Sequence, residues 1–298
     1  MTNVIETGGE CDCTTAEDFL DKLSPRHAFW NDNPLGWIFR GQDGDWPLLP
    51  KAFRKDAYAE FGISYNTSVS AGLANASAQR QLIMDFRRRL DASGLPIPIV
   101  APDPYNQGHY PAQPGNPQPD AFPQQALAQH LGLPTPLLDW TTKPAVAAYF
   151  AAPKKTSAEP KMVVWALRRD FIESGYQQGD TITNTFDHFV VDNHWAKIET
   201  APRSSNPNLH AQSGLFTMLR GIDGHLWPLD AIVERLVKDK PARMSPFKAP
   251  LMRKLTLPTS VGQKLLWRLA HEGIDGASMF PGYDGIVKAM REKVLAKP

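Results

Sequence analysis

The stretch that most constrains this chain is Gln129 to Ala152, which reads Q-H-L-G-L-P-T-P-L-L-D-W-T-T-K-P-A-V-A-A-Y-F-A-A. A helix end, a turn, a short apolar run and a second helix follow one another in it without slack. Ahead of it, Pro123 to Leu131 has helical spacing with Leu127 and Leu131 on one face, and Gly132 stands where a left-handed residue ends a helix. Leu137 and Leu138 read as a buried, strand-like pair. Asp139, Trp140, Thr141 and Thr142 come next, and Pro144 opens an Ala-rich apolar helix. Polar side chains are thus gathered at a helix start, where free backbone N–H groups and the positive end of a helix dipole suit an anion as readily as a cap. Asp139 follows an apolar pair, which predicts a partly buried carboxylate in need of a partner.

Upstream, Thr14 or Thr15 starts a helix whose apolar face is Phe19, Leu20 and Leu23, and Trp37 to Phe39 is an aromatic and β-branched run that reads as a strand. Alternation puts Trp37 and Phe39 on one face and Ile38 and Arg40 on the other. Gly41 then lets the backbone turn or approach a ligand closely. Arg40 needs an anionic partner, either a structural carboxylate or a ligand. Ser77 to Leu90 is amphipathic through Leu82, Ile83, Phe86 and Leu90, with Gly94 after its end. Consecutive residues of the run Arg87-Arg88-Arg89 point about 100° apart on that helix, so the run reads as a solvated face rather than a phosphate track. From Gly94 to Pro123 there are nine prolines, which deny helix and central strand alike. This segment is expected to be an extended loop, mobile or serving as a lid.

Downstream, Met162 to Leu167, His210 to Leu219 and Leu251 to Leu257 read as strands. Leu229 to Val237, the Leu265-Leu266-Leu269 stripe closed by Gly273, and Gly285 to Val294 with Asp284 as N-cap read as helices. His188 and His194 lack the i, i+4 spacing of a helical metal pair. Cys11 and Cys13 form a lone C-x-C with no further cysteine to complete a zinc set, so no metal is expected. Strands separated by helices and long insertions, without regular β-helix-β spacing, predict an α+β fold. The expected organisation is one elaborated domain over 14–296, with a flexible N-terminus at 1–13 and a Pro-rich insert at 94–123.

Composition excludes some partners. A formal net charge of +1 gives no general reason to bind nucleic acid or anionic membrane. No segment approaches the ~20 apolar residues that span a bilayer, and Met1 is not followed by a basic and then apolar leader, so a soluble cytoplasmic protein is expected. There is no G-x-S-x-G, Walker loop, G-x-G-x-x-G or H-E-x-x-H.

Four segments occur in the order found in the FRG domain family. They are Trp37-Ile38-Phe39-Arg40-Gly41-Gln42, the organising stretch itself, Gln212-Ser213-Gly214-Leu215-Phe216-Thr217, and Met279-Phe280-Pro281-Gly282-Tyr283-Asp284-Gly285. The chain therefore resembles that family from about Asp18 to about Met290, with Pro136 and Asn208 where members often carry arginine. The family is in turn distantly similar to the ADP-ribosyltransferase fold. That resemblance implies a split, mixed or antiparallel sheet with peripheral helices and an enzyme using NAD, such as a bacterial toxin or phage-defence effector. It also implies a nucleotide-type small molecule as partner, with Arg40 on the pyrophosphate and Thr141-Thr142 shaping the nicotinamide pocket. Gly41, Gln42, Gln129, His130 and Thr135 complete the implied cofactor-binding set. The glutamate of the larger fold has no counterpart at Gln212-Ser213-Gly214, so Asp139, Gln212 and Asp284 are the catalytic candidates. The alternative is a non-catalytic module that recognises a nucleotide, a phosphorylated group or a partner protein. Each residue also has an ordinary structural role: His130 can bond helix carbonyls, Thr142 and Asp284 can cap helices, and Gln212 can complete a strand ladder.

Overall fold

In the computed structural model, Gly9–Asp12 (β1), Trp37–Gln42 (β2), Leu137–Thr141 (β3), Lys161–Arg168 (β4), His188–Val191 (β5), His194–Glu199 (β6), Gly214–Gly221 (β7) and Met252–Pro258 (β8) join in one sheet of order β1-β8-β4-β2-β3-β7-β6-β5. The structure describes residues 9–30, 36–63, 71–98, 121–153, 158–169, 172, 188–191, 194–201, 206–221, 227–239 and 250–295. The β1–β8 pair is parallel and the other ladders are antiparallel, so the sheet is mixed and the fold is α+β. The helices are Ala16–Leu23 (α1), Ala71–Ala92 (α2), Ala121–His130 (α3), Pro144–Ala151 (α4), Pro207–Ala211 (α5), Leu229–Asp239 (α6), Gly262–His271 (α7), Gly276–Met279 (α8) and Tyr283–Leu295 (α9).

Strand alternation sorts the core into two layers. On one face Trp37, Phe39, Val164, Ala166, Leu255 and Leu257 pack with Phe19 and Leu23 of α1, Val146 and Ala148 of α4, and Leu265 and Leu269 of α7. On the other, Ile38, Trp140, Val163, Trp165, Leu167 and Leu219 meet Leu48 and the Leu229, Ile232 and Val233 stripe of α6. Phe122 and Ala126 of α3 cover Leu137, Phe216 and Met218. The predicted division of Trp37 and Phe39 from Ile38 is therefore observed. Helix α4 lies so close to β2 that a Cβ on Gly41 would stand 1.9 Å from the Ala147 carbonyl oxygen and 2.5 Å from the Ala151 nitrogen. Gly41 thus permits close approach, but of a helix backbone rather than a ligand.

The central seam is thin. β2 pairs with β4 over Trp37 to Gln42, and β3 pairs with β7 over Leu137 to Thr141. Between β2 and β3 the only ladder position among the described residues is Phe39 opposite Thr141, so the two strands part towards Gln42 and Leu137.

Several element boundaries differ from the sequence expectation. Gly9 and Glu10, expected to be loose, belong to edge strand β1 paired with β8. So do Cys11 and Asp12, and Cys11 and Cys13 are both free thiols. Four residues without apolar alternation carry no strand signal of their own. His210 lies in helix α5, capped by the Asn206 side chain, and the strand begins only at Gly214. Helix α3 starts at Ala121 and tolerates Pro123 because the first-turn N–H groups have no intrahelical acceptor. The last helix starts at Tyr283, which places Asp284 inside its first turn instead of at the cap. Arg89 pairs with Asp85 on an exposed face of α2, in keeping with a solvated charge run. Residues 1–8 of the expected loose N-terminus, 99–120 of the Pro-rich insert and 181–187 lie outside the described residues. No helix among the described residues is long and apolar enough to cross a membrane.

Candidate functional site

Alternation sends Arg40 to the Ile38 face, while Asp139, opposite Phe216, belongs to the other face. They meet nevertheless, because the parting of β2 and β3 lets the guanidinium lie in the seam. Arg40 Nη1 donates to the Asp139 carbonyl oxygen at 2.8 Å and lies 3.6 Å from Asp139 Oδ2. Arg40 Nε is 3.4 Å from Gln42 Oε1, and buried Gln42 is itself held by donating from Nε2 to the Trp46 carbonyl oxygen at 2.7 Å. Nη2 has no hydrogen-bond partner among the described residues.

Gln129 completes the seam. Its Nε2 donates to Asp139 Oδ2 at 2.9 Å and to the Leu137 carbonyl oxygen at 3.2 Å, and buried Thr135 donates from Oγ1 to Gln129 Oε1. The carbonyls of Leu137 and Asp139, two residues apart, lie along the same edge of β3. Side chains of Gln129 and Arg40 therefore satisfy backbone acceptors that a strand ladder would otherwise have taken. This explains the spacing Gln129, Thr135, Leu137, Asp139 in local terms: helix α3 ends beside the strand, and its last turn returns an amide to it.

The electrostatics are uneven. The Arg40 side chain is only 16% exposed, whereas that of Asp139 is 57% exposed. The carboxylate is thus open to solvent rather than partly buried as its position after two leucines predicts. Burial pulls the Arg40 guanidinium below its ordinary value, Asp139 opposes that shift, and Arg54 adds to it. Arg54 is held by donating from Nε to the Leu49 carbonyl oxygen at 3.0 Å. Lys51, nearby in the chain, donates to the Gly132 carbonyl oxygen at 2.6 Å at the end of α3. Neither cation was singled out by the sequence; Pro50-Lys51-Ala52-Phe53-Arg54 has no helical or strand period, and only its basic residues hinted at a role. Trp165 is paired across the ladder with Arg40, and its buried Nε1 has no hydrogen-bond partner among the described residues.

The other candidates fall into place around this seam, and some leave it. Thr141 is buried; its Oγ1 donates to the Gln212 carbonyl oxygen at 2.7 Å and accepts from the Lys143 N–H at 3.0 Å. The N-cap of α4 is Lys143, so exposed Thr142 stands one residue outside it and binds Ser213 through its backbone N–H. Gln212 donates from Nε2 to the Met279 carbonyl oxygen at 3.0 Å, tying α5 to α8. His130 is exposed and faces Asn208, with Nε2 2.7 Å from Asn208 Nδ2. Asp284 is exposed on α9 and bonds neither Arg40 nor Asp139. The structure thus brings together Arg40, Gln42, Gln129, Thr135 and Asp139. It gives Gly41, Thr141 and Gln212 packing or tethering contacts and sets Asp284 apart. No group of three or more metal-ligating side chains occurs among the described residues.

Residues 36–159 match the family profile of the FRG domain. That span contains both the Arg40 motif and the whole Gln129 to Thr142 run, whereas Gln212 and Asp284 lie beyond it. No match was found among curated proteins or among solved structures.

Proposed function

We propose that the seam between β2 and β3 is a nucleotide site, and that the chain uses NAD in the manner of an ADP-ribosyltransferase. The observation that carries this reading is a nearly buried guanidinium with Nη2 uncommitted, set directly beside an exposed carboxylate. Arg40, reinforced by Arg54, fits the pyrophosphate of a dinucleotide, and the Trp165 N–H, without a partner among the described residues, is a further donor on the Arg40 face. NAD would supply the chemistry: its ribose–nicotinamide bond breaks, the electron pair leaves with nicotinamide, and an acceptor or water bonds to the ribose carbon and loses a proton. Asp139, held by Gln129 and Arg40, is placed to stabilise the positive charge that develops on that ribose. Gln129 and Thr135 orient the carboxylate.

Replacing Arg40 with alanine is expected to weaken NAD binding by about 1.5 to 3 kcal/mol, the scale of one charge-assisted hydrogen bond. Calorimetry with NAD measures this, and a parallel melting curve separates it from loss of fold. Unchanged affinity would remove Arg40 from the site. A second reading, a binding module without catalysis, is favoured by Gln212, whose amide is committed to Met279 where the transferase fold carries its glutamate. Detection of released nicotinamide decides between the two: binding without release supports the module.

A further inference from the structure

Helix α9 carries an apolar stripe that nothing among the described residues covers. Its inward side is accounted for. Gly285 packs on the Phe280 carbonyl, Lys288 lies 3.3 Å from the centre of the Phe280 ring, and Glu292 accepts from the Tyr149 hydroxyl at 2.5 Å and from the Gly276 N–H at 2.8 Å. Opposite that side stand Tyr283, Ile286, Val287, Met290 and Val294, with Tyr283 93% and Val294 77% exposed. At 100° per residue these five occupy one arc of about 100° over three turns, the width of a helix-packing face. Isolated exposed apolar residues are ordinary; a continuous helical stripe marks a contact surface.

We propose that this stripe pairs with the same stripe of a second copy of the chain, the two α9 helices running antiparallel about a two-fold axis. Charge complementarity selects this occupant and this direction. Asp284 and Arg291 are seven residues apart and so lie on the same flank of the stripe, both exposed and without an ion pair among the described residues. A two-fold axis perpendicular to the helices keeps that flank on the same side while reversing the helix. Asp284 then faces Arg291 of the second copy, twice by symmetry. The same operation sets Tyr283 against Val294 and Val287 against Met290. A parallel pair exchanges the flanks at equal height, setting Asp284 against Ile286 and Arg291 against Lys293 of the second copy, an acid without a base and a base against a base. The self-complementary order acid, apolar stripe, base is what an isologous contact requires.

Sedimentation equilibrium of the full chain, loaded from about 1 to 300 μM to bracket the weak affinity of a small interface, tests the proposal. The expected weight-average mass rises with loading from one chain towards two. Met290→Glu is expected to keep it at one chain throughout, with an unchanged melting curve because Met290 is exposed. Asp284→Arg is expected to weaken association by about tenfold or more, since it sets like charges opposite each other at both ends. The double exchange Asp284→Arg/Arg291→Asp restores it. A parent that stays single at the highest loading overturns the proposal. So does a dimer indifferent to Met290→Glu, or a double exchange that fails to restore association.

Discussion

Gly41→Ala is expected to cost about 3 kcal/mol or more of folding stability, at or beyond the upper end of what overpacking a core usually costs. The added Cβ meets the backbone of α4, at 1.9 Å from the Ala147 oxygen and 2.5 Å from the Ala151 nitrogen. A flexible side chain could move aside, but a helix backbone can yield only as a whole, and α4 is held by buried Val146, Ala147, Ala148 and Tyr149. Either α4 lifts from the sheet or β2 bends, and the second response would also displace Arg40. Thermal or urea unfolding measures the loss. A melting temperature within about 2 °C of the parent would mean that α4 does not pack on β2 as described.

Asp139→Asn is expected to leave the protein folded while lowering NAD consumption by about 10²-fold or more, the scale of losing one preorganised electrostatic group. The stability effect should be small for a geometric reason. A fully buried ion pair broken on one side costs about 3 to 5 kcal/mol. Here the carboxylate is more than half exposed, Arg40 keeps its 2.8 Å bond to the Asp139 main-chain oxygen, and the asparagine oxygen still accepts from Gln129. About 1 kcal/mol or less is the appropriate scale. If the variant consumes NAD at the parent rate, Asp139 is not the catalytic group. If neither protein consumes NAD, the non-catalytic module takes precedence.

Features that depend on near neighbours were legible in the sequence. Gly94, Gly132 and Gly273, helix stops by their place in the sequence, have φ of +65°, +88° and +75°, because the end of a helix is set by its own last turn. Of Thr14 and Thr15, either of which the sequence allows as the helix start, Thr15 is the cap, its side chain accepting from the Asp18 N–H. The division of Trp37 and Phe39 from Ile38 follows from a period of two, and the spacing of Gln129, Thr135 and Asp139 from one helix end folding back on the next strand.

What the tertiary structure decided depends on segments far apart in the chain. Strand β1 exists because β8, more than two hundred residues later, offers it an edge. The need for glycine at 41 arises from a helix that begins at Pro144 and presses on it. Arg54 acquires its role only when the loop that follows β2 returns towards Arg40. The meeting of Arg40 and Asp139 is the sharpest case, since with Phe39 opposite Thr141 the strand alternation sets them on opposite faces of the sheet. They touch because β2 and β3 share a single ladder position and then diverge, leaving main-chain acceptors that long side chains reach through the gap. Local periodicity reports which face a residue takes within its own element, whereas the gap between two elements is set by everything packed against both.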